Sequence, residues 1–160
     1  MSTTINNQKG ISVIEILVAI AVLLISFIGI FGILVFSLKT SHSIKETTLA
    51  NFLAQETIEA VRNFRDGTTW NVDGLGTLTT EVAYHQEQIG DTPPQWTLAL
   101  GEEIINGFLR KVIFESVDRD ANDNIVESGG TDDPETRKIT VTVSWQDKNV
   151  EITTYLTNWR

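Results

Sequence analysis

The longest feature of the chain is a run of apolar residues near its N-terminus, over residues 11–38. Glu15 is the only charged residue in this run, and the 21 residues 16–36 carry no charge. A helix needs roughly 20 apolar residues to cross the hydrocarbon core of a bilayer. The run therefore predicts a single membrane-spanning helix.

The pattern changes over residues 39–66, where apolar and small side chains recur at the spacing of an amphipathic helix. The predicted inward stripe consists of Ala50, Leu53, Ala54, Thr57, Ile58, Val61 and Phe64. No Pro precedes Pro93 and no Gly lies between Gly32 and Gly67, so no helix breaker separates the two segments. We expect one helix from about residue 11 to about residue 65, ending near Gly67.

Residues 67–160 lose the helical period and gain alternating apolar and polar positions. The candidate strands are residues 78–84, 108–117, 139–145 and 150–157. The last two lie on either side of a turn at residues 146–149, which predicts an antiparallel hairpin with one buried face. We expect an α+β fold, in which a long N-terminal helix packs its amphipathic half on a small antiparallel β-sheet head.

The composition narrows the range of functions. The chain of 160 residues has 12 Lys+Arg against 21 Asp+Glu, a formal net charge of -9. Because an acidic chain repels phosphate, we expect no direct binding of nucleic acid. The absence of Cys removes disulfides, thiol nucleophiles and thiolate metal sites. The histidines are His42 and His85, and no glycine-rich phosphate loop or metalloprotease motif occurs, so we expect no enzyme.

Glu15 is the most informative residue of the apolar run. A carboxylate at the centre of a membrane span costs about 2.5–3.5 kcal/mol on insertion scales and is a functional candidate by default. Lys9, Gly10 and Ile11 precede it, so Glu15 stands at the fifth position after a glycine that follows a basic residue. This arrangement, followed by an unbroken apolar helix, resembles the class III leader of type IV prepilins and pseudopilins.

The resemblance implies a processing site and a role in assembly. In that family a prepilin peptidase cuts after the glycine and methylates the new N-terminus. Here the cut would fall between Gly10 and Ile11, Ile11 would be N-methylated, and Lys9 would supply the charge of the leader. In a filament, Glu15 would meet the α-amino group of a neighbouring subunit. Because these two opposite charges would neutralise each other in hydrocarbon, the contact would favour the correct axial register between subunits.

The resemblance also implies a domain organisation and a location. The implied segments are a leader at residues 1–10, a transmembrane and filament-core helix at 11–38, an amphipathic helix at 39–66 and a β-rich head at 67–160. The implied partners are other pilin subunits, the prepilin peptidase, the inner-membrane assembly platform and membrane lipid. The implied location is the cytoplasmic membrane, crossed once with the N-terminus inside, and then an extracellular filament or the cell surface.

Two departures from the family pattern refine the expectation. Major subunits usually begin with Phe, where this chain has Ile11, and many carry Pro in mid-helix, where this chain has Gly29 and Gly32. The glycines would either loosen the helix or allow close packing in the membrane. The Ile start favours a minor subunit, and residues 139–159 look like the end of minor pilins of the pilus-modification kind.

Two alternatives remain beside the pilus reading. A type II secretion pseudopilus or a competence pseudopilus would use the same N-terminal chemistry in another machine. An uncleaved, membrane-anchored protein whose head binds a partner outside the cell is an alternative of a different class. Only the filament readings require a cut after Gly10.

One loop of the head is a candidate metal site. Asp118, Asp120, Asn122 and Asn124 place oxygen side chains at alternate positions, as calcium loops do. Some pseudopilins bind calcium in the head. The turn glycine of such a loop is replaced by Asp123, so a solvated turn between strands is the alternative. No other cofactor is expected.

The four tryptophans are a candidate platform for a sugar or a protein partner. Trp145 lies on the apolar face of its predicted strand, so we expect it in the core. Trp70 and Trp96 have polar neighbours in the sequence, so we expect them at the surface. Trp159 is the fourth member of the set.

Overall fold

The computed structural model of the protein describes residues 12–90 and 94–159. The described residues divide into two compact units between Lys45 and Glu46. The first unit contains the apolar part of the long helix, and the second contains the rest of that helix with the sheet.

The helix α1 runs from Val13 to Gly67 without a break. Ser12 precedes it, and the carbonyl oxygen of Ser12 accepts hydrogen bonds from the amides of Glu15 (3.0 Å) and Ile16 (3.3 Å). Serine is a favoured residue at this helix-capping position. The predicted end near Gly67 is confirmed, whereas the predicted start near residue 11 lies outside the described residues.

In the second unit, one face of α1 is buried. Its buried residues are Ala50, Leu53, Ala54, Thr57, Ile58, Ala60, Val61 and Phe64. The whole predicted stripe is among them, so the predicted amphipathic face is confirmed. The core that includes this face also contains the sheet residues Val112, Phe114 and Val141, which are completely buried.

The described residues contain one antiparallel sheet of seven strands. The strands are β1 (Ala83–Ile89), β2 (Gln95–Leu100), β3 (Glu103–Ile105), β4 (Phe108–Arg119), β5 (Ile125–Val126), β6 (Thr131–Trp145) and β7 (Lys148–Thr157). Their order is β2-β1-β4-β6-β7, and both β3 and β5 pair with β4. A short 3-10 helix, Leu75–Thr77, lies between α1 and β1. The expected α+β fold, with a long helix and an antiparallel sheet head, is confirmed.

The predicted hairpin is formed by β6 and β7. Trp145 pairs with Lys148, so the turn consists of Gln146 and Asp147 rather than of four residues. Gln146 has a φ of 49°, the positive value that tight hairpin turns require. The strand expected at residues 108–117 is also confirmed, as β4.

The strand expected at residues 78–84 is wrong for most of its length, because β1 begins only at Ala83. Before β1, the chain turns at Glu81, which has a φ of 63° and donates its amide to the carbonyl of Phe114 at 2.9 Å. Leu78 and Val82 pack against the core without joining the sheet ladder. The apolar positions in this segment therefore reflect burial of a turn, not a strand.

A buried polar cluster connects α1 to the sheet. The side chain of Arg110 on β4 is only 4% exposed, and it donates to Glu56 on α1 (2.9 Å) and to Glu103 on β3 (2.5 Å). Gln86 on β1 takes the amide orientation that satisfies both of its polar atoms. It then accepts from Arg110 at 2.7 Å and donates to Thr57 at 2.8 Å. Because a buried charge is costly unless it is paired, this cluster fixes the register of the helix on the sheet.

Candidate functional site

The apolar segment of α1 is the first candidate site. Its large side chains are exposed from Val13 through Leu38, and α1 is the one helix in the described residues that is long and apolar enough to cross a membrane. Ser26 donates its hydroxyl to the carbonyl of Val22 at 2.8 Å, so this polar group is satisfied within the helix. Internal satisfaction of polar groups is what hydrocarbon requires of a spanning segment.

Glu15 lies in the first turn of this helix and is exposed. A carboxylate in the first turn is favoured by the positive end of the helix dipole. The predicted processing residues Gly10 and Ile11 and the leader charge Lys9 lie outside the described residues. Of the predicted assembly residues Ile11 and Glu15, only Glu15 is among the described residues, and its role in assembly stays a prediction.

Gly29 and Gly32 lie inside α1, which continues through both positions. A Cβ atom built at either glycine would meet nothing within 4 Å. Packing within the described chain therefore does not require glycine at either position. Both proposed roles, a loosened helix and close packing with other helices, stay predictions.

The acidic loop that is a candidate calcium site is held by its own hydrogen bonds. Asp120 accepts from the backbone amides of Asn122 and Asn124, both at 2.9 Å, and from the side-chain amide of Asn124 at 3.0 Å. Bonds of this kind are typical of an aspartate-initiated turn. They also lower the pKa of Asp120, the side-chain bond from Asn124 having the largest effect. Asp118 lies in β4 instead, opposite Val126 of β5.

The structure thus brings Asp120, Asn122 and Asn124 together in one turn. Within residues 12–90 and 94–159, no group of three or more Asp, Glu or His side chains is arranged to hold a metal ion. Calcium binding by Asp118, Asp120, Asn122 and Asn124 stays a prediction, and the hydrogen bonds favour the turn alternative.

Arg119 anchors the same loop from the end of β4. Its side chain donates to Asp133 (2.7 Å), to the carbonyl of Asp123 (2.9 Å) and to Thr136 (3.3 Å). Burial raises the pKa of Asp133, but the hydrogen bonds from Arg119, Thr136 and the Glu135 amide outweigh it and lower the pKa. The loop is therefore held by a charge-assisted contact that sequence spacing alone did not identify.

The tryptophans fall into different environments. Trp145 is buried and packs on Phe108 with ring centroids 5.5 Å apart, which confirms the predicted core position. Trp70 was expected at the surface, and this is wrong: it is 5% exposed and belongs to the core. Its indole nitrogen donates to the carbonyl of Pro134 at 3.0 Å, a contact 64 positions away that its polar sequence neighbours do not reveal. Trp96 is half-buried.

Trp159 is the exposed member of the set, at 65%. The guanidinium of Arg65 lies 5.7 Å from the centroid of its ring. Trp70 and Trp159 line one surface cleft, while Trp96 lines a neighbouring cleft that shares Arg65 and Asp66. Trp145 lines neither of these clefts. The predicted platform of four is thus divided, and its exposed part lies at the end of α1.

In comparisons with known proteins, no family model, no curated protein and no solved structure matches this chain. The functional interpretation therefore rests on the chain's own residues and their arrangement.

Proposed function

We propose that the protein is a membrane-anchored structural subunit, of minor type, in a type IV pilus or a related filament. The observation that carries the proposal is the position of Glu15. It lies in the first turn of a helix whose next 21 residues are uncharged and whose large apolar side chains are exposed. Such a surface needs lipid or other apolar helices around it.

The proposed processing follows from the residues before the helix. Gly10 offers an unhindered scissile bond that resists helix formation. A prepilin peptidase would cut between Gly10 and Ile11 and methylate Ile11, removing Lys9 with the leader. The new α-amino group would then lie four residues before Glu15 in the sequence.

The proposed assembly uses the same two groups. In the cytoplasmic membrane, with the N-terminus inside, the subunit would be surrounded by lipid and would meet the assembly platform. In the filament, Glu15 of one subunit would pair with the α-amino group of another. Leaving either charge alone in hydrocarbon is costly, so the pairing would select the axial register. The sheet head would then be displayed on the filament or at the cell surface.

The test is the intact mass of the protein from membranes of cells with and without a prepilin peptidase. The expected result is loss of residues 1–10 and gain of one methyl group, only where the peptidase is present. Gly10→Val should block the change, whereas Gly29→Ala, a glycine substitution inside the helix, should leave it intact. An unprocessed wild-type mass in the presence of a working peptidase would overturn the filament proposal.

Two other functions are distinguished by further outcomes. A secretion or competence pseudopilin would show the same mass change, and would be separated from a pilin by the filament with which it co-purifies. An uncleaved anchored binding protein would keep its full mass in both strains. The exposed apolar helix supports the anchor in all three cases.

A further inference from the structure

The cleft at the end of α1 has a volume of about 190 Å³ and lies wholly in the second unit. Its lining is Arg65, Asp66, Thr68, Thr69, Trp70, Asn71, Thr157, Asn158 and Trp159. Sites for drug-sized ligands occupy about 300–1,000 Å³, so this cleft fits a single small ring rather than a large ligand.

Hydrogen bonds to Pro134 and Glu135 of β6 hold the segments that line the cleft. Pro134 accepts from the indole of Trp70 at 3.0 Å. The two carboxylate oxygens of Glu135 accept from the side-chain amides of Asn71 (3.3 Å) and Asn158. The carbonyl of Glu135 also accepts from the backbone amide of Asn158 at 2.8 Å. One dipeptide therefore positions the loop after α1 and the segment that carries Trp159.

These contacts determine which polar atoms the cleft offers to a ligand. Asn71 directs its NH₂ group to Glu135, and its amide oxygen lies beside Gly76, outside the lining. Asn158 also directs its NH₂ group to Glu135, so its amide oxygen is the group that can accept a hydroxyl proton. Thr69 and Thr157 add hydroxyl groups to the lining. Arg65 and Asp66 pair with each other at 2.9 Å, so the two charges in the lining offset one another. The lining is therefore rich in neutral hydrogen-bonding groups.

Trp159 supplies the apolar contact. Its indole is 65% exposed, and large amphipathic rings of this kind are enriched at surfaces that contact partners. The guanidinium of Arg65 lies 5.7 Å from the ring centroid and helps to hold the ring in place. A pyranose ring has an apolar face of C–H groups and hydroxyl groups at its rim. It therefore matches a stacking surface that is bordered by the Asn158 amide oxygen and by threonine hydroxyls.

From this geometry we propose that the cleft binds a neutral saccharide, with one sugar ring stacked on Trp159 and its hydroxyls bonded to Asn158, Thr69 and Thr157. This inference rests on residues of the second unit alone and does not depend on processing or filament assembly. The head would thus bind a ligand, in addition to being displayed on the filament or at the cell surface.

The test uses the full chain, purified from membranes in a zwitterionic detergent that carries no sugar group. The probes are neutral di- to tetrasaccharides of glucose, galactose, mannose and N-acetylglucosamine, titrated by calorimetry and by saturation-transfer NMR. At least one series should bind saturably. Trp159→Ala should weaken that binding roughly tenfold or more, and Trp159→Phe, which keeps a stacking ring, should weaken it less.

Tyr155→Ala is the matched control, because Tyr155 is a partly exposed aromatic residue that lies outside the cleft. It should bind the saccharide as the wild type does. Absence of saturable binding to every probe would overturn the proposal, as would equal binding by wild type and Trp159→Ala. Binding that appears only with an unrelated peptide probe would also overturn it.

Discussion

Residues 13–38 and residues 46–67 belong to one helix and both are rich in apolar side chains, but they expose them differently. Leu24 in the first stretch is 59% exposed, whereas Val61 in the second is completely buried. The second stretch has its partner, the sheet, in the same chain. The first has none among the described residues. Apolar content therefore predicts that a surface needs to be buried. The chain itself buries one face of the second stretch, whereas a membrane or another molecule must cover the first.

The largest expected effect concerns membrane insertion of the first stretch, the apolar segment of α1. Replacing Leu23 and Phe27 with Lys adds two charges near the centre of the apolar segment, at a cost of about 5–7 kcal/mol for insertion. We expect the double variant to move from the membrane fraction to the soluble fraction after alkaline carbonate extraction. Thr40→Lys with Ser41→Lys, outside the uncharged stretch, should stay in the membrane fraction. Equal extraction of both double variants would contradict the membrane assignment.

The second prediction compares the same substitution, Phe to Ala, at a buried and at an exposed position. Phe114 is completely buried, so Phe114→Ala should lower the free energy of unfolding of the head by about 3–5 kcal/mol. Phe36 is exposed, and Phe36→Ala should leave that free energy unchanged. Urea unfolding followed by tryptophan fluorescence makes the measurement, since all four Trp lie beyond residue 67. Similar losses in the two variants would be inconsistent with a core confined to the second unit.

A smaller effect concerns the contact that fixes the helix on the sheet. Arg110→Ala leaves the buried Gln86 without its charged donor, and should cost about 1–3 kcal/mol of unfolding free energy. The partly exposed carboxylates of Glu56 and Glu103 can regain water, which limits the loss. Arg62→Ala removes a surface pair with Glu59 and should cost less than about 1 kcal/mol. The same unfolding assay compares them, and equal costs would argue against a buried role for Arg110.

The smallest effect is expected from pH. The pKa values of Asp120 and Asp133 are lowered from the ordinary 3.8, so both carboxylates are stabilised in the folded head. Their contribution is fully present above pH 3.8 and is lost as the pH falls from there through the folded pKa values. The unfolding midpoint of the wild type should fall below pH 4 by more than that of Asp133→Asn. Parallel pH profiles for the two proteins would contradict this role of Asp133.

The sequence pattern was sufficient for the helix and for the strands with strict alternation. The stripe from Ala50 to Phe64 and the strands β4, β6 and β7 follow directly from periods of 3.6 and 2. The inward position of Arg110 could also be predicted from the sequence, because Arg110 lies between the inward residues Phe108 and Val112 in the alternation of β4. The alternation in β4 could therefore have indicated a buried cation before its partners were known.

Other features could not be read from local pattern. Trp70 and Asn71 contact Pro134 and Glu135, which lie 64 positions away, and no spacing rule links such segments. The strands β2, β3 and β5 are short and are defined by pairing with neighbours rather than by their own sequence. The cleft beside Trp159 is lined by two distant segments, residues 65–71 and 157–159, so it became visible only in the structure.

The most direct test asks whether the apolar helix lies in a membrane while the head lies outside the cell. It uses the absence of Cys from the chain. Leu24→Cys and Val72→Cys each introduce one thiol, at an exposed position of the apolar helix and of the head. Spheroplasts treated with a membrane-impermeant maleimide should label Val72→Cys at once, and should label Leu24→Cys only after detergent is added. Labelling of Leu24→Cys without detergent, or protection of Val72→Cys until the membrane is opened, would contradict a membrane-embedded helix that presents its head outside the cell.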